Sequence, residues 1–322
     1  MAAIGGISLE TGRTDELLSA FLTDIVKDEP VDNYFQITPT LDILNKAKKM
    51  IAFGKQGMFP IDSGENNTVQ WMPDGYTPLS TAAQDTALTV TYPAVQMGGT
   101  LVVSLRDLRD NANDRVRVFD LMRHRRKNLI KTAAKKLSTD LFAASQASHE
   151  VTSLNVAIDS TGATGGLNAS TDADWASIET ASGGAFSSNG MSDMNDTWNQ
   201  IVQNGARPKD IITTRAMYTQ YSLNADKDIR YTSAGGTSKG ARGFGDLMFN
   251  TADIKHDPYA TSGVMYFIDT DYLYLIVDPE VKGDMTPMRE SEEKLAFISK
   301  FAWAGNLFLL KRDGQGKITG MT

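Results

Sequence analysis

Apolar residues at helical spacing open the chain. Leu17, Leu18, Phe21, Leu22, Ile25 and Val26 fall on one face of a segment running 15–26. Asp15 and Glu16 stand in its first turn, where the helix dipole favours them, and Pro30 lies just beyond. So short a helix is marginal alone in water, so its stripe needs a surface on this subunit or on a neighbour. A second short helix is predicted over 40–51, closed by Gly54. The period then changes. Residues 68–71 and 86–92 alternate and are rich in β-branched and aromatic types, which predicts strands, with Leu88, Val90 and Tyr92 on one face. Pro73-Asp-Gly-Tyr-Thr-Pro78 between them is a turn cluster. The expectation is a long two-stranded arm with an irregular tip, and an isolated ribbon of that kind is barely stable in water.

The longest predicted helix starts at an Asn113 or Asp114 cap and runs to about 144, ~45 Å at 1.5 Å per residue. Phe119, Met122, Leu129, Ile130, Ala133, Leu137 and Leu141 make its apolar stripe. From Arg115 to Lys136 its other faces are basic, opposed in that stretch only by Asp120. Residues 145–170 are rich in Ser, Thr and Gly and read as a boundary or loop. A short helix is predicted after Thr171, with Trp175 and Ile178 on one face. Another begins at Ser192, with Met194, Trp198, Ile201 and Val202 as its stripe. Gly205 ends that helix, and Pro208 follows three residues on. A strand over 210–214 and a helix over 216–224 come next, then a Gly/Ser-rich loop over 232–245. Strands are predicted at 264–269 and 272–277, joined by a turn at Thr270-Asp271, and at 306–310. The turn Asp313-Gly-Gln-Gly316 and a short 317–319 run end the pattern. These mixed elements fit an α+β class better than a doubly wound sheet.

Composition narrows the function. The chain has 322 residues, 22% charged and 41% hydrophobic, which is the profile of a folded protein with one large or two ordinary domains. It has no cysteine, which excludes disulfides, thiolate catalysis and cysteine-held metals. A net charge of −7 argues against a global grip on nucleic acid and leaves only a local basic patch. No apolar run reaches the ~18 residues of a membrane span. The opening Met1-Ala-Ala-Ile-Gly-Gly lacks a basic region and Glu10 arrives early, so a signal peptide is not expected and the protein should stay in the cytoplasm where it is made.

The search for catalytic residues yields one candidate. Gly236-Thr-Ser238-Lys-Gly240 has the G-x-S-x-G spacing of a hydrolase nucleophile elbow, with Asp253 and His256 following in the right order. That elbow needs a buried strand before the serine and a helix after it, and a Gly/Ser-rich loop supplies neither. Such a loop produces the match readily by chance. A P-loop fails because Ala241 stands where lysine is needed. His124, His149 and His256 have no metal-ligand spacing, and the Asp172/Asp174 and Asp269/Asp271 pairs lie in no calcium-loop pattern. No catalytic, cofactor-binding or metal-binding residue is therefore assigned, no cofactor is expected, and the chain is not expected to be an enzyme. Arg123, Arg125, Arg126 and Lys127 are the candidates for contact with DNA or with a neighbouring subunit; no aromatic residues interleave with them for base stacking.

The order of features resembles the major capsid proteins of tailed bacteriophages, whose Hong Kong 97-type fold is shared with encapsulin shells. The pattern comprises an N-terminal arm, an extended hairpin, a long helix, and a helix–Gly–x–x–Pro–x–x–Ile element. That element stands here as Gly205-Ala-Arg-Pro208-Lys-Asp-Ile211, followed by Thr213-Thr-Arg-Ala-Met-Tyr218. Gly165-Gly-Leu-Asn168 and the tail from Gly305-Asn-Leu-Phe308 to Gln315-Gly-Lys-Ile-Thr-Gly320 are also similar to this family. The resemblance spans nearly the whole chain.

The resemblance implies an arm and short helices over 1–54, an extended loop over 55–100 lying on an adjacent subunit, and a peripheral domain with the long helix as spine over 101–155. It further implies an axial domain over 156–280 and C-terminal strands over 281–322 returning to the peripheral domain. Leu17, Phe21, Leu88, Tyr92, Gly235 and Gly240 are the expected assembly residues, the two glycines near the axial tip. The implied partners are further copies of the chain in pentamers and hexamers, a portal protein, a separate scaffolding protein and decoration proteins. Packaged double-stranded DNA, held without sequence specificity, is the implied content of the virion, with assembly in the host cytoplasm. An encapsulin-type compartment is the nearest rival; a serine hydrolase using Ser238 is the rival from another class. Some relatives join neighbours by a lysine–asparagine crosslink. The arm between Gln56 and Gln96 contains no lysine. Subunits from intact shells are therefore expected to run as monomers on a denaturing gel, and a covalent ladder would overturn that expectation.

Overall fold

The computed structural model of the chain describes residues 38–322 apart from residues 53, 63, 73–74, 77, 84–85, 111–114 and 226–246. Helix α1 (Pro39–Lys46) begins where the Thr38 hydroxyl accepts from the Leu41 N–H and Pro39 supplies a preset φ. It buries Leu41, Ile43 and Leu44. It stops short of the predicted 51 because β1 (Lys49–Met50) pairs in parallel with residues 276–277. Strands β2 (Gln56–Asp62) and β3 (Ala87–Pro93) form the ribbon, in unbroken antiparallel register from Gln56 opposite Pro93 to Asp62 opposite Ala87. The partner of 86–92 is therefore not 68–71, which lies in the irregular tip. Gly57 and Pro60 disguise the true strand, since both residue types are depleted in strands.

Strand β4 (Val95–Ser104) leads through α2 (Leu105–Asp110) to α3 (Arg115–Leu141), ~40 Å long. Met122, Ile130, Ala133, Leu137 and Leu141 of the predicted stripe are buried. A single turn, α4 (Leu154–Ala157), is capped by the Ser153 hydroxyl. Strands β5 (Ala163–Thr164) and β6 (Leu167–Asn168) close a tight hairpin. Where a helix was expected after Thr171 there is only a 3₁₀ turn, Ala173–Trp175, because Ile178 already belongs to β7 (Ile178–Ala181).

A π-type turn, Phe186–Gly190, runs into α5 (Met191–Gln203), which buries Met194, Trp198 and Ile201. Gly205 beyond it has φ +78°, as its place after the helix requires. Then follow β8 (Asp210–Thr213), α6 (Arg215–Ala225), β9 (Leu247–Phe249), β10 (Ala252–His256) and β11 (Met265–Ile268). The last elements are β12 (Leu273–Met285), β13 (Arg289–Glu290), β14 (Ala296–Leu309) and β15 (Gly316–Thr319).

Two larger sheets organise the chain. In the first, β14 is central: β12 and then β13 line one edge, β4 the other, and β1 lies outside β12. The second runs β7-β15-β11-β8-β10-β9, with β7–β15 and β8–β10 parallel. The strands around the Thr270-Asp271 turn are not partners, because β11 joins the second sheet and β12 the first. The C-terminal strands are likewise divided: β14 belongs to the first sheet and β15 to the second. Strand β12 runs across the boundary drawn between 280 and 281.

One apolar cluster packs α1, α3, the ribbon root and the first sheet against Ile212, Tyr266 and Ile268 of the second. Another fills the space between α5, α6 and the second sheet, around Trp198, Phe249, Phe267 and Ile318.

Between β14 and β15 the chain passes from one sheet to the other, and Arg312 is buried there at 1% exposure. Its Nε donates to Ala157 O at 2.9 Å. One terminal nitrogen donates to Gly162 O and Trp175 O, the other to Val156 O and Thr161 O, at 3.1–3.2 Å. All five guanidinium N–H groups thus meet backbone carbonyls. Two buried amides complete the joint. Asn306 accepts from the Thr152 N–H and donates to Pro93 O. Gln315 accepts from the Asp269 N–H and donates to Asp269 O. Arg312→Met is expected to cost about 3–5 kcal/mol, because it strands buried carbonyls. Arg312→Lys is expected to recover little, lacking the five-donor fork. Urea unfolding of the purified variants measures both.

Candidate functional site

The ribbon of β2 and β3 is anchored at its root and bare at its tip. At the root Val90 and Tyr92 are buried. The Tyr92 hydroxyl donates to Leu309 O at 3.1 Å, its ring lies 4.8 Å from that of Phe308, and burial pushes its pKa up. Phe59 meets the same Phe308 ring edge-on at 5.3 Å. A Cβ on Gly57 would stand 2.6 Å from the Phe308 ring, so only glycine lets β2 cross there. The hairpin of β5 and β6 clamps the other side. The Thr91 N–H donates to Gly165 O at 2.8 Å, and a Cβ on Gly165 would lie 2.2 Å from Val90 Cγ1.

Beyond the root the strands lose their cover. Local contacts shape the tip: Asn66 Oδ1 accepts from the Thr68 N–H at 2.9 Å, and Gln70 Nε2 donates to Pro78 O at 3.1 Å. Its large side chains point to solvent. Val69 is 84% exposed, Trp71 100%, Tyr76 95% and Leu79 57%. Exposed apolar side chains gathered on one projection are the mark of a contact surface.

The expected assembly residues separate under this geometry. Leu17, Phe21, Gly235 and Gly240 lie outside the described residues, as does Ser238. Leu88 is half-buried on the ribbon opposite Ile61. Tyr92 belongs to the subunit's own core, a correction to its expected role between subunits: Phe308 and the Leu309 carbonyl already occupy its ring and hydroxyl. Val69, Trp71, Tyr76 and Leu79 replace it as candidates. The pointer to them in the sequence was a tryptophan and a tyrosine flanking a Pro-Asp-Gly turn, where no core side chain would be expected.

The four basic candidates also divide. Arg125 is a strut: it pairs with Asp107 at 2.8 Å and donates to Val102 O at 3.0 Å. Its hydrogen bond holds the Asp107 carboxyl below the usual carboxylate range. Arg126 is buried. Arg123 and Lys127 are exposed on the helix.

Asp253 and His256 do not form a catalytic pair. They stand three positions apart on β10, so their side chains leave opposite faces of the sheet. Asp253 lies 3.7 Å from Lys255, and the His256 ring packs on Tyr218 at 5.1 Å. Among the described residues no three His, Asp or Glu side chains come together as a metal site would need. No helix among them is long and apolar enough to cross a membrane.

No family model and no curated protein matches the sequence. Solved structures do match the fold. The cyanophage A-1(L) capsid asymmetric unit superposes with a TM-score of 0.64 at 16% identity, over 88% of this chain and 93% of that one. A Mycobacterium phage Adephagia structure gives 0.55 at 14%, over 87% and 90%. The capsid of a native GTA particle gives 0.56 at 12%, over 87% and 90%. The α+β, Hong Kong 97-type fold implied by the sequence resemblance is the fold of this chain.

The clamp at the ribbon root is open to test. Gly165→Ala forces a side chain into a φ of +63° and against Val90. It is expected to destabilise the subunit by about 1–3 kcal/mol in urea unfolding, whereas Gly75→Ala at the open tip is expected to be near neutral.

Proposed function

We propose that the chain is the structural subunit of an icosahedral viral shell, self-assembling into hexamers and pentamers that enclose double-stranded DNA. The observation that carries this reading is the ribbon itself, with a root locked into the subunit core and a tip whose Val69, Trp71, Tyr76 and Leu79 are bare. A lone subunit gains nothing from such a projection. A neighbour that covered the tip would recover about 1.5–3 kcal/mol for each large apolar side chain fully buried. The fold, common to this chain and to capsid structures of several phages, adds support.

In this reading residues 55–100 lie over an adjacent copy. The first sheet with α3 forms the peripheral domain, and the second sheet with α5 and α6 forms the axial domain. Head-to-tail contacts of that kind close into rings by rotation. Each contact stays weak, and the closed shell holds because many act together. No catalytic step is assigned. A separate scaffolding protein, a portal protein and decoration proteins are the further partners the reading entails, and the virion is its place.

Trp71→Ser combined with Tyr76→Ser tests it. Both side chains touch solvent, so the stability of the isolated subunit should change by less than about 0.5 kcal/mol. Shells seen by negative stain in the wild type should be lost, with subunits or small rings left on size exclusion. A wild-type protein that remains a compact single subunit under assembly conditions would overturn the proposal.

A further inference from the structure

Where the chain leaves the first sheet for the ribbon, a cleft of roughly 320 Å³ opens beside the ribbon root. Ile51, Met58, Phe59, Ile276 and Phe308 line it, with Gln56 as a polar contributor. Its inner wall is fixed: Ile276 and Phe308 are buried, and the Phe59 ring meets Phe308 edge-on. Its mouth is apolar and bare, with Met58 57% exposed and Met50 and Ile51 exposed as well. The volume lies at the low end of ligand-sized clefts, about 300–1,000 Å³, so it takes one large side chain rather than a whole segment.

Charge identifies the occupant. The run from Lys46 to Lys55 carries Lys46, Lys48, Lys49 and Lys55 and no acidic residue. Lys46, Lys49 and Lys55 are exposed; Lys49 also stands over the Tyr274 ring at 3.4 Å, a contact that leaves its charge in place. The arm from Gln56 to Gln96 is the opposite, with Asp62, Glu65, Asp74 and Asp85 and no Lys, Arg or His. The register of β2 and β3 is unbroken from Gln56 to Asp62, which starts the tip about 20 Å from the root. Trp71 is 100% exposed there, so it does not fill the cleft of its own subunit. Tryptophan is among the residue types most enriched at the buried centres of protein contacts. Val69, two positions before it, shares its face in an extended run.

We infer that the ribbon tip of one copy docks on the ribbon root of the next, with Trp71 filling the cleft and the lysine run facing the acidic arm. The inference rests on the shell reading above for the presence of a neighbour, and it names the surface that receives the tip. The two surfaces differ, so the contact is head-to-tail. Opposite charge guides the arm onto this face, and like charge keeps two roots or two tips apart. The ring in the cleft supplies the anchor.

The full chain has no cysteine, so a pair of introduced thiols reads one contact alone. Met58→Cys at the cleft and Met72→Cys beside Trp71 both replace exposed side chains. Oxidised with diamide under assembly conditions, the double variant should run as a ladder on a non-reducing denaturing gel. Each single variant, with one thiol, can reach no more than a dimer. Met72→Cys combined with Leu295→Cys, a position 79% exposed, should give no ladder. A ladder from that control as strong as the one from Met58→Cys/Met72→Cys would overturn the inference, as would no ladder from either. Acrylamide quenching needs no variant. Trp175, Trp198 and Trp303 are buried, so the quenchable emission of the free subunit comes from Trp71 and should be lost on assembly. Emission that stays quenchable would overturn the docking. Lys55→Glu should raise the concentration needed for assembly by about tenfold, Glu65→Lys should do the same, and the two together should restore it. A combined variant no better than the single ones would overturn it too. Negative stain of the same samples separates the two readings. Shells without the introduced disulfide would sink the docking alone, and the disulfide in filaments or small rings without shells would sink the shell reading alone.

Discussion

A buried cation with no carboxylate in direct contact holds the two halves of the subunit in register. Arg312 sits at the passage between the two sheets and turns every N–H it has toward a backbone carbonyl in 156–175. Burial alone disfavours its charge, and that is the main pressure on its pKa, which is lowered; Asp159 and the Tyr92 ring act on it less. A desolvated guanidinium is tolerable only when all its donors are met. Here the donors are also the acceptors' solution, because an irregular segment such as 156–175 has few strand partners of its own to satisfy its carbonyls. One side chain therefore orders a loop, and the ordered loop supplies the Gly165-Gly166 turn that clamps the ribbon.

From that clamp the division of the ribbon follows. Its root, Val90 and Tyr92 included, is held by Phe308 and by the Gly165 turn, with glycine at both points of closest approach. At its tip Val69, Trp71, Tyr76 and Leu79 are exposed. A rigid root fixes the direction of the projection, so the ordering cost at a contact falls on the tip alone. The same economy marks α3. One face is anchored in the core and a flank is strutted to β4 and α2 through Arg125.

The elements were legible wherever a long apolar pattern met a strong stop. The stripes of α3 and α5, the Gly205 turn and β8 stand within a few residues of where periodicity puts them. Short elements were not. The 171–178 segment reads as a helix start because Asp172 and Asp174 favour one, yet the pull of β15 on Ile178 draws the chain into a strand. Strand β2 was hidden by Gly57 and Pro60, whose presence is explained only by the Phe308 ring and by an open edge. Residues 68–71 have the composition of a strand and no partner to make them one.

Local pattern and order along the chain determined the class, the succession of arm, long helix and Gly–x–x–Pro turn, and the absence of cysteine chemistry. Those properties depend on residues a few positions apart, or on composition, and both can be read in one dimension. Which tyrosine is core and which is bare, which arginine is a strut and which lysines face outward, only the tertiary structure decided. Tyr92 and Tyr76 are the same side chain in similar company; one is buried against a carbonyl 217 residues away and the other is 95% exposed. Burial is a property of what folds over a residue, and nothing in the residue's own neighbourhood along the chain carries that information.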